Sequence, residues 1–421
     1  MKFTQMKWLT ALLVIVFALS ACTTGAPKSS NPSNGSTSQD QTQAKPENNP
    51  ENKAASGKPI KMGHLVPLTG RAAVYGQIQK IAVEMAVEEV NKNGGINGSP
   101  IEMLYTDDQH NPQQAVTQFR KLVSENVVAV VGPMSGANWE NVGPLANQFK
   151  VPTVNVNSLK PGITKLPWGM RIHPADNTLI PEGVKDFKKH YPNTKKVVVI
   201  GDIKESSGAT GIEEFKKAAT AEGIEVLDAI GFQTGATDLS PVITKVKGYK
   251  PDAIFVSSLI AETLVVAKEI ERQGLDVPIL VSTLTWIGPF PVIVGTAGKN
   301  WHAIGFLTNN PDPSNTKLVN FIKEFIKRSE SNPTIPQPVN VSNSTFTYDA
   351  VKIISDILIK EKINGDTPLE EARQKLQEGL LKIKDYKGLI DFSMVENNDA
   401  GYVPARVLKL DLEKKLWVEM D

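Results

Sequence analysis

The sequence has few of the side chains that most often carry chemistry or cross-links. Its single cysteine, Cys22, excludes an intrachain disulfide, and its five histidines are scattered without metal-site spacing. The 46 basic and 45 acidic residues give a formal net charge of +1, which indicates neither a nucleic-acid surface nor a polyanionic partner. Beyond one apolar run of roughly twelve residues near the start, no stretch approaches the length of a membrane-spanning helix.

The sequence also lacks the common catalytic motifs. Residues 132–136 read GPMSG, in which the serine stands one place too late for a G-x-S-x-G nucleophile elbow. Gly201, Gly208 and Gly211 form neither a dinucleotide-binding fingerprint nor a phosphate-binding loop. We therefore expect no catalytic residue, no cofactor and no bound metal, and a secreted hydrolase remains an alternative only.

The start of the chain has the features of an exported protein. Lys2 and Lys7 flank the beginning of the apolar residues 8–19, and the small residues 20–21 lead directly into Cys22. This order is typical of a secretory signal peptide. It also resembles the lipobox of bacterial lipoproteins, in which the cysteine becomes lipidated and N-terminal after cleavage.

The segment that follows cannot form a core, because residues 23–58 contain no Val, Ile, Leu, Phe, Trp, Tyr or Met. We expect residues 1–21 to be a lipoprotein signal peptide and residues 22–58 to be the lipidated Cys22 with a disordered tether. Such an anchor would hold a globular protein at the outer face of the bacterial cell membrane.

The stretch of residues 127–139, VVAVVGPMSGANW, organises the predicted fold. Its first five residues are continuously apolar, which predicts a strand buried on both faces of a parallel sheet. A turn of small residues then leads into a helix that runs to about residue 149. Free amide groups and the dipole at a helix N-terminus attract anions, so the turn at Ser135 and Gly136 is a candidate carboxylate cradle.

Strands and helices alternate twice along the chain. Strands are predicted at residues 60–66, 101–106, 127–131, 151–156, 196–203, 224–232, 251–258, 277–283 and 303–308, with short candidates at 388–392 and 406–412. Helices are predicted at 77–93, 112–125, 135–149, 208–222, 238–246, 261–273, 314–329, 344–360 and 368–381. The alternation predicts an α/β protein with two doubly wound parallel-sheet lobes.

Ligands of such sheets bind beyond the carboxyl ends of the strands. That rule selects six segments of the chain: residues 68–75, 134–138, 157–159, 202–208, 257–260 and 283–286. Because they come from two lobes, we expect a ligand cleft between the lobes.

Several motifs together resemble the extracellular ligand-binding proteins of ABC importers of the leucine/isoleucine/valine-binding type. They include IKMGHLVPLTGRAAVYG, AVEEVNKNGGINGSPIEMLYTDDQHNPQQAV, VVAVVGPMSG, VPTVNVNS and YDAVKII. The resemblance covers about residues 59–421 and implies the type I periplasmic-binding fold, in which a three-strand hinge joins the lobes. It implies a lobe 1 of residues 59–174 plus 306–398 and a lobe 2 of residues 175–305 plus 399–421, with crossovers near 172–175, 303–305 and about 397–401.

The resemblance also implies a function and a site. A monomer would close on a small polar ligand and deliver it to a membrane permease. The ligand carboxylate would be held at Ser135, Gly136, Asn157 and Ser158, beside the aromatic Tyr75. The remaining residues of the predicted ligand-binding set are Met134, Ser207, Ser258, Leu259, Thr285 and Trp286, of which Trp286 is also explained as a packing residue.

The second lobe departs from the family pattern. The amino-acid binders hold the ligand ammonium with a carboxylate and a tyrosine, and this sequence has Leu284 or Thr285 and Leu259 at those places. A buried ammonium without a charged partner would cost several kcal/mol. Glu205 or Glu262 are possible substitutes, although the start of a helix also explains Glu262. The sequence is thus compatible with an amino acid, an amide or a carboxylate as the ligand.

Nothing in the sequence supplies a transmembrane signal relay. Transport is therefore preferred to the alternative of a ligand-sensing receptor component, which the same fold would also allow.

Overall fold

The computed structural model describes residues 55–395, 399 and 401–420. The predicted signal peptide, Cys22 and residues 22–54 of the predicted tether lie outside these described residues. Ser56 and Gly57 already donate backbone hydrogen bonds to the Gly98 carbonyl, at 3.2 and 2.8 Å. Among the described residues, no helix combines the length and apolar character needed to cross a bilayer.

The first sheet is built from five parallel strands in the order β2-β1-β3-β4-β5. Its elements are β1 (Ile60–Val66), α1 (Ala73–Lys92), β2 (Ile101–Asp107), α2 (Pro112–Ser124), β3 (Ala129–Val131), α3 (Gly136–Phe149), β4 (Thr153–Asn155) and β5 (Gly169–Arg171). The central strand β3 is wholly buried, as its continuous apolar run predicts.

The chain then enters a second series of strands and helices. These are α4 (Asp176–His190), β6 (Lys196–Asp202), α5 (Ser206–Ala221), β7 (Glu225–Phe232), α6 (Ser240–Tyr249), β8 (Ala253–Ser257), α7 (Ile260–Gln273), β9 (Ile279–Val281), α8 (Thr283–Trp286), α9 (Phe290–Ile293) and β10 (Trp301–Gly305), with a 3₁₀ turn at Gly295–Gly298. The strands β7, β6, β8, β9 and β10 are parallel.

The last part of the chain extends the second sheet and forms a third, antiparallel sheet of three short strands in the order β11-β12-β13. It comprises α10 (Thr316–Ser329), α11 (Ser342–Lys360), α12 (Leu369–Leu381), β11 (Asp385–Tyr386), β12 (Phe392–Met394), β13 (Gly401–Tyr402), β14 (Arg406–Asp411) and β15 (Leu416–Glu419). Helices α10 and α11 pack on α1, and α12 packs on α11. Strands β14 and β15 add antiparallel to β10, which gives the order β15-β14-β10-β9-β8-β6-β7.

We call the first sheet with α1–α3 and α10–α12 the first lobe, and the second sheet with α4–α9 the second lobe. The chain passes between them after β5, after β10 and between β12 and β14. Pro174 and Gly401 pair as a parallel bridge, so the first and third crossovers lie side by side. The mixed α/β architecture with parallel sheets confirms the predicted fold class.

Several local predictions were wrong. Strand β5 and helix α4 fall in residues 159–192, where no element was predicted, because β5 has three residues and α4 contains Pro181. Residues 283–298 contain three short helices where no helix was predicted. Strand β15 was not predicted, and the strand predicted at 388–392 is replaced by β11 and β12.

Candidate ligand-binding site

The first wall of the site is the turn between β3 and α3. Ser135 is the N-cap of α3, and its Oγ accepts a hydrogen bond from the Asn138 amide at 3.1 Å. A Cβ added to Gly136 would lie 3.1 Å from Ser158 Oγ and 3.6 Å from Ser206 Oγ. Only a residue without a side chain leaves this space free where the first lobe meets the second.

A second turn, after β4, lies beside the first. The Asn155 amide fastens the two turns together: Nδ2 donates to the Pro133 carbonyl at 2.6 Å, and Oδ1 accepts from the Ser158 amide at 2.9 Å. Among the described residues, Ser158 Oγ and both polar side-chain atoms of Asn157 are buried without a hydrogen-bond partner. Such groups cost about 1–3 kcal/mol each when nothing satisfies them, so they favour a polar ligand or water here.

Tyr75, in the first turn of α1, reaches across to the second lobe. A Cβ added to Gly288 would lie 3.0 Å from the tyrosine ring and 3.1 Å from its hydroxyl. Burial raises the pKa of Tyr75, so the phenol is neutral and donates or accepts hydrogen bonds without charge.

The second-lobe hydroxyls form a network of their own. Thr263 Oγ1 lies 2.7 Å from Ser258 Oγ and 3.0 Å from Thr285 Oγ1, and Thr285 also donates to the Ser258 carbonyl at 3.1 Å. Ser258 and Thr285 are therefore hydrogen-bonded within their lobe, where they fix the shape of the wall. Their predicted contact with a ligand stays a prediction.

Three other predicted residues lie buried at strand ends. Met134 follows β3, Leu259 precedes α7, and Ser207 lies in the first turn of α5. Met134 and Leu259 give the region apolar surface, and Ser207 gives it a hydroxyl at a helix N-terminus.

Trp286 lies at the middle crossover. Its ring meets Phe306 edge-on at 4.6 Å between centroids, and a Cβ on Gly305 would lie 2.6 Å from the indole. The Asn340 amide donates to the Trp286 carbonyl. These contacts support the packing interpretation of Trp286, and its predicted ligand contact stays a prediction.

Asp176, at the start of α4, is a carboxylate that is absent from the predicted ligand-binding set. Its amide donates to the Leu159 carbonyl at 2.8 Å, and its Oδ1 accepts from Thr283 Oγ1 at 3.2 Å. A Cβ on Gly211 would lie 3.7 Å from Oδ2 and 2.1 Å from Ser257 Oγ. Asp176 thus sits among strand ends of both lobes.

The Asp176 side chain is fully buried, and its Oδ2 has no hydrogen-bond partner among the described residues. Burial raises the pKa of this carboxyl to about 8, against lowering contributions from the Thr283 hydrogen bond and the Arg171 charge. A carboxyl in such a place can accept a cationic group, which would supply a hydrogen-bond partner for Oδ2 and favour the ionised form.

Glu262, considered in the sequence analysis, is buried in the first turn of α7. Its Oε1 accepts from the Gly235 amide at 2.8 Å, and Arg71 Nη1 lies 3.8 Å away. Its Oε2 has no hydrogen-bond partner in the described part of the chain. Both the helix-start explanation and a charged role therefore apply to Glu262.

The structure brings most of the predicted residues to facing strand ends and adds Asp176 among them. A signal for Asp176 was present, because buried Leu179, Ile180, Val184 and Phe187 recur at helical spacing just after it. Across the residues that are described, no group of three or more His, Cys, Asp or Glu could hold a metal ion.

Comparisons with known proteins agree with this architecture. Residues 59–407 match the family model described as periplasmic binding protein. The leucine-, isoleucine-, valine-, threonine-, and alanine-binding protein of Pseudomonas aeruginosa is 27% identical over 266 residues, which are 63% of this chain and 71% of that protein.

Two solved structures share the fold. One is the branched-chain amino acid transporter substrate binding protein LivJ from Streptococcus pneumoniae in complex with isoleucine, with a TM-score of 0.70 and 23% identity, covering 84% of this chain and 97% of that one. The other is an ABC transporter solute binding protein from R. palustris in complex with 4-hydroxybenzoate, with a TM-score of 0.73 and 21% identity, covering 86% and 96%.

Proposed function

This chain belongs to the periplasmic binding protein family, and we propose that it captures a free amino acid between its lobes for an ABC importer. The observation that carries the amino-acid assignment is Asp176, a fully buried carboxyl with one oxygen unpartnered among the described residues. Its backbone amide donates to the carbonyl of Leu159, next to Ser158, and the side-chain polar atoms of Asn157 and Ser158 Oγ also have no partner among the described residues. The zwitterion of an amino acid has an ammonium group for Asp176 and a carboxylate for Asn157 and Ser158.

The ligand carboxylate would bind between the turns at Ser135 and Ser158. Free amide groups at the start of α3 attract negative charge. Ser158 Oγ and Asn157 Nδ2, which have no partner within the described part of the chain, are donors that a carboxylate would satisfy. Gly136 leaves the space that this approach needs.

The ligand ammonium would bind Asp176 Oδ2. An ammonium at hydrogen-bond distance favours the ionised carboxylate and so offsets the burial that raises the pKa of Asp176. This assignment supplies the ammonium partner that the family positions Leu284, Thr285 and Leu259 lack. Glu262 is the second choice, because Arg71 already stands 3.8 Å from one of its oxygens.

The ligand side chain would face apolar surface from Met134, Leu259 and the ring of Tyr75, all buried. Such surroundings favour an aliphatic side chain over a charged one. The names of the Pseudomonas aeruginosa and Streptococcus pneumoniae relatives support the same class of ligand.

Hinge closure would trap the ligand. The bound ligand would contact both lobes and so favour the closed state. We propose lobe boundaries at residues 59–174 plus 306–398 and at 175–305 plus 399–421. A monomer with its lipid on Cys22 would present the closed lobes to a permease from the outer face of the membrane.

A melting experiment tests this proposal. The protein would be heated with leucine, isoleucine, valine, leucinamide, 4-methylpentanoate or 4-hydroxybenzoate. A ligand at 100 times its Kd adds about 2.7 kcal/mol of stability. We expect stabilisation by an aliphatic amino acid and none by 4-methylpentanoate, which has no amine. Equal stabilisation by 4-methylpentanoate would contradict the ammonium site, and stabilisation by no amino acid would contradict the ligand class.

A further inference from the structure

Four charged or ionisable side chains meet where the lobes touch. Arg71, in the loop before α1, and His110, in the turn before α2, belong to the first lobe. Glu205 is the N-cap of α5 and Glu262 lies in the first turn of α7, both in the second lobe. We call these four residues the cross-lobe cluster.

The cluster joins the lobes through three short contacts. Arg71 Nη2 lies 3.3 Å from Glu205 Oε2, and Arg71 Nη1 lies 3.8 Å from Glu262 Oε1. His110 Nε2 lies 3.4 Å from the same Glu205 oxygen. Each contact pairs a first-lobe nitrogen with a second-lobe carboxylate, so none of the three survives if the lobes separate.

The two acids and His110 are buried, and Arg71 is the exposed member of the cluster. Glu205 and Glu262 side chains are 7% and 2% exposed, whereas Arg71 is 42% exposed. Burial alone would raise the pKa of Glu205, but hydrogen bonding and charge from His110, followed by the charge of Arg71, lower it overall. The first-lobe groups therefore stabilise the Glu205 charge in the closed arrangement.

We propose that Arg71 and His110 form a latch that closes on Glu205 and Glu262 and makes closure, and hence ligand affinity, dependent on salt. The latch rests on the proposed hinge closure but not on which ligand is bound. When the lobes open, water hydrates the carboxylates of Glu205 and Glu262 and stabilises their charges. When the lobes close, the Arg71 guanidinium lies beside both carboxylates and attracts them.

Salt is the direct probe of this latch, because Arg71 is exposed enough to be screened. The Debye length falls from about 10 Å at 0.1 M to about 3 Å at 1 M ionic strength. Contacts between buried apolar groups respond in the opposite direction or little. Loss of closure on adding sodium chloride would therefore come from the charged contacts.

The first experiment needs no ligand. In the full chain carrying Cys22→Ser, spin labels would be placed on cysteines at Gln114 in the first lobe and Thr220 in the second, both exposed. We expect a short-distance population at low salt that falls about fivefold at 1 M sodium chloride. Arg71→Gln and Glu205→Gln should each remove that population at low salt.

Arg328→Gln is the matched control. Arg328 forms ion pairs with Glu88 and Glu324, all within the first lobe, so it removes the same charge without touching the cleft. It should keep the short-distance population and its response to salt. A melting curve of each variant separates a lost latch from a lost fold.

The second experiment uses leucine as the probe. Arg71→Gln should raise its Kd about tenfold at low salt and flatten the dependence of Kd on salt, whereas Arg328→Gln should do neither. If folded Arg71→Gln and Glu205→Gln keep the wild-type distance distribution and salt response, the cluster is a static contact and the latch is refuted. Failure of leucine to bind would count against the proposed ligand, and the label distances would still decide the latch.

Discussion

Replacing Asp176 with asparagine tests the proposed ammonium site, because the protonation of the wild-type carboxyl makes stability and ligand affinity depend on pH. The fully buried carboxyl has its pKa raised by burial from 3.8 to about 8. The folded protein therefore holds this proton more tightly than the unfolded chain does. The contribution of protonated Asp176 to the free energy of unfolding is fully present below about pH 4 and is lost as pH rises through about 8.

The size of this effect follows from the shift. Four pKa units at about 1.36 kcal/mol each give a change on the order of 5 kcal/mol between pH 4 and pH 8. Asp176→Asn has no proton to lose. Without ligand, the free energy of unfolding of the variant should therefore increase relative to that of wild type by about this amount as pH rises from 4 to 8, as measured by melting.

Ligand binding should couple to the same proton. Near pH 7 a carboxyl with a pKa of about 8 is about 90% protonated. An ammonium needs the ionised form, so binding leucine should release about 0.9 proton, and its affinity should fall roughly tenfold per unit below pH 7. Calorimetry in buffers of different ionisation enthalpy measures the released proton directly.

Asp176→Asn should abolish proton release and weaken leucine binding by about 3 kcal/mol, roughly 100-fold, because a buried ammonium loses its charge partner. Asp349→Asn is the control: burial also raises the pKa of Asp349, to about 7, but its carboxylate accepts the amides of Leu389 and Ile390. It should change the pH dependence of stability and leave binding alone. Leucine binding without proton release, and equally tight in Asp176→Asn, would refute the assignment.

Two further predictions concern ligand binding at Ser135 and membrane anchoring at Cys22. Ser135→Asp should weaken a carboxylate ligand at least tenfold, since it adds like charge beside the α3 N-terminus, and unchanged affinity measured by calorimetry would remove Ser135 from the site. Cys22→Ser should move the protein from the membrane fraction to the medium, as followed by immunoblotting, and a variant that stays with the membrane would contradict lipidation of Cys22.

Local patterns were enough to predict much of the framework. The Asn111-Pro112 pair predicted the start of α2, and the Asn111 side chain indeed accepts from the Gln113 and Gln114 amides. The apolar run of β3 and the cap at Ser135 likewise depend on adjacent residues. Such features are visible in sequence because their causes lie within one turn or strand.

The remaining features depend on contacts between distant segments. Asp176 went unnoticed because Pro181 obscured helix α4, and its surroundings at Leu159, Gly211 and Thr283 are assembled by folding alone. Periodicity shows which face of an element is buried. It does not show which buried carboxyl is left without a partner.

The arrangement of hydroxyls shows the same limit. Ser258 and Thr285 stand at strand ends, as the ligand-cleft rule requires, yet Thr263 satisfies both from a helix between them. Likewise, the cross-lobe pairing of Arg71 with Glu205 joins residues 134 positions apart. Only tertiary contacts distinguish these occupied groups from the side-chain polar atoms of Asn157 and Ser158, which have no hydrogen-bond partner among the described residues.

A crystal structure of the protein with the amino acid that stabilises it most would show directly which groups hold the ligand. We expect the ligand carboxylate at Ser135 and Ser158 and the ligand nitrogen about 3 Å from Asp176 Oδ2. A ligand nitrogen bound to Glu262 instead, or a ligand outside the space between the lobes, would contradict the proposed binding site.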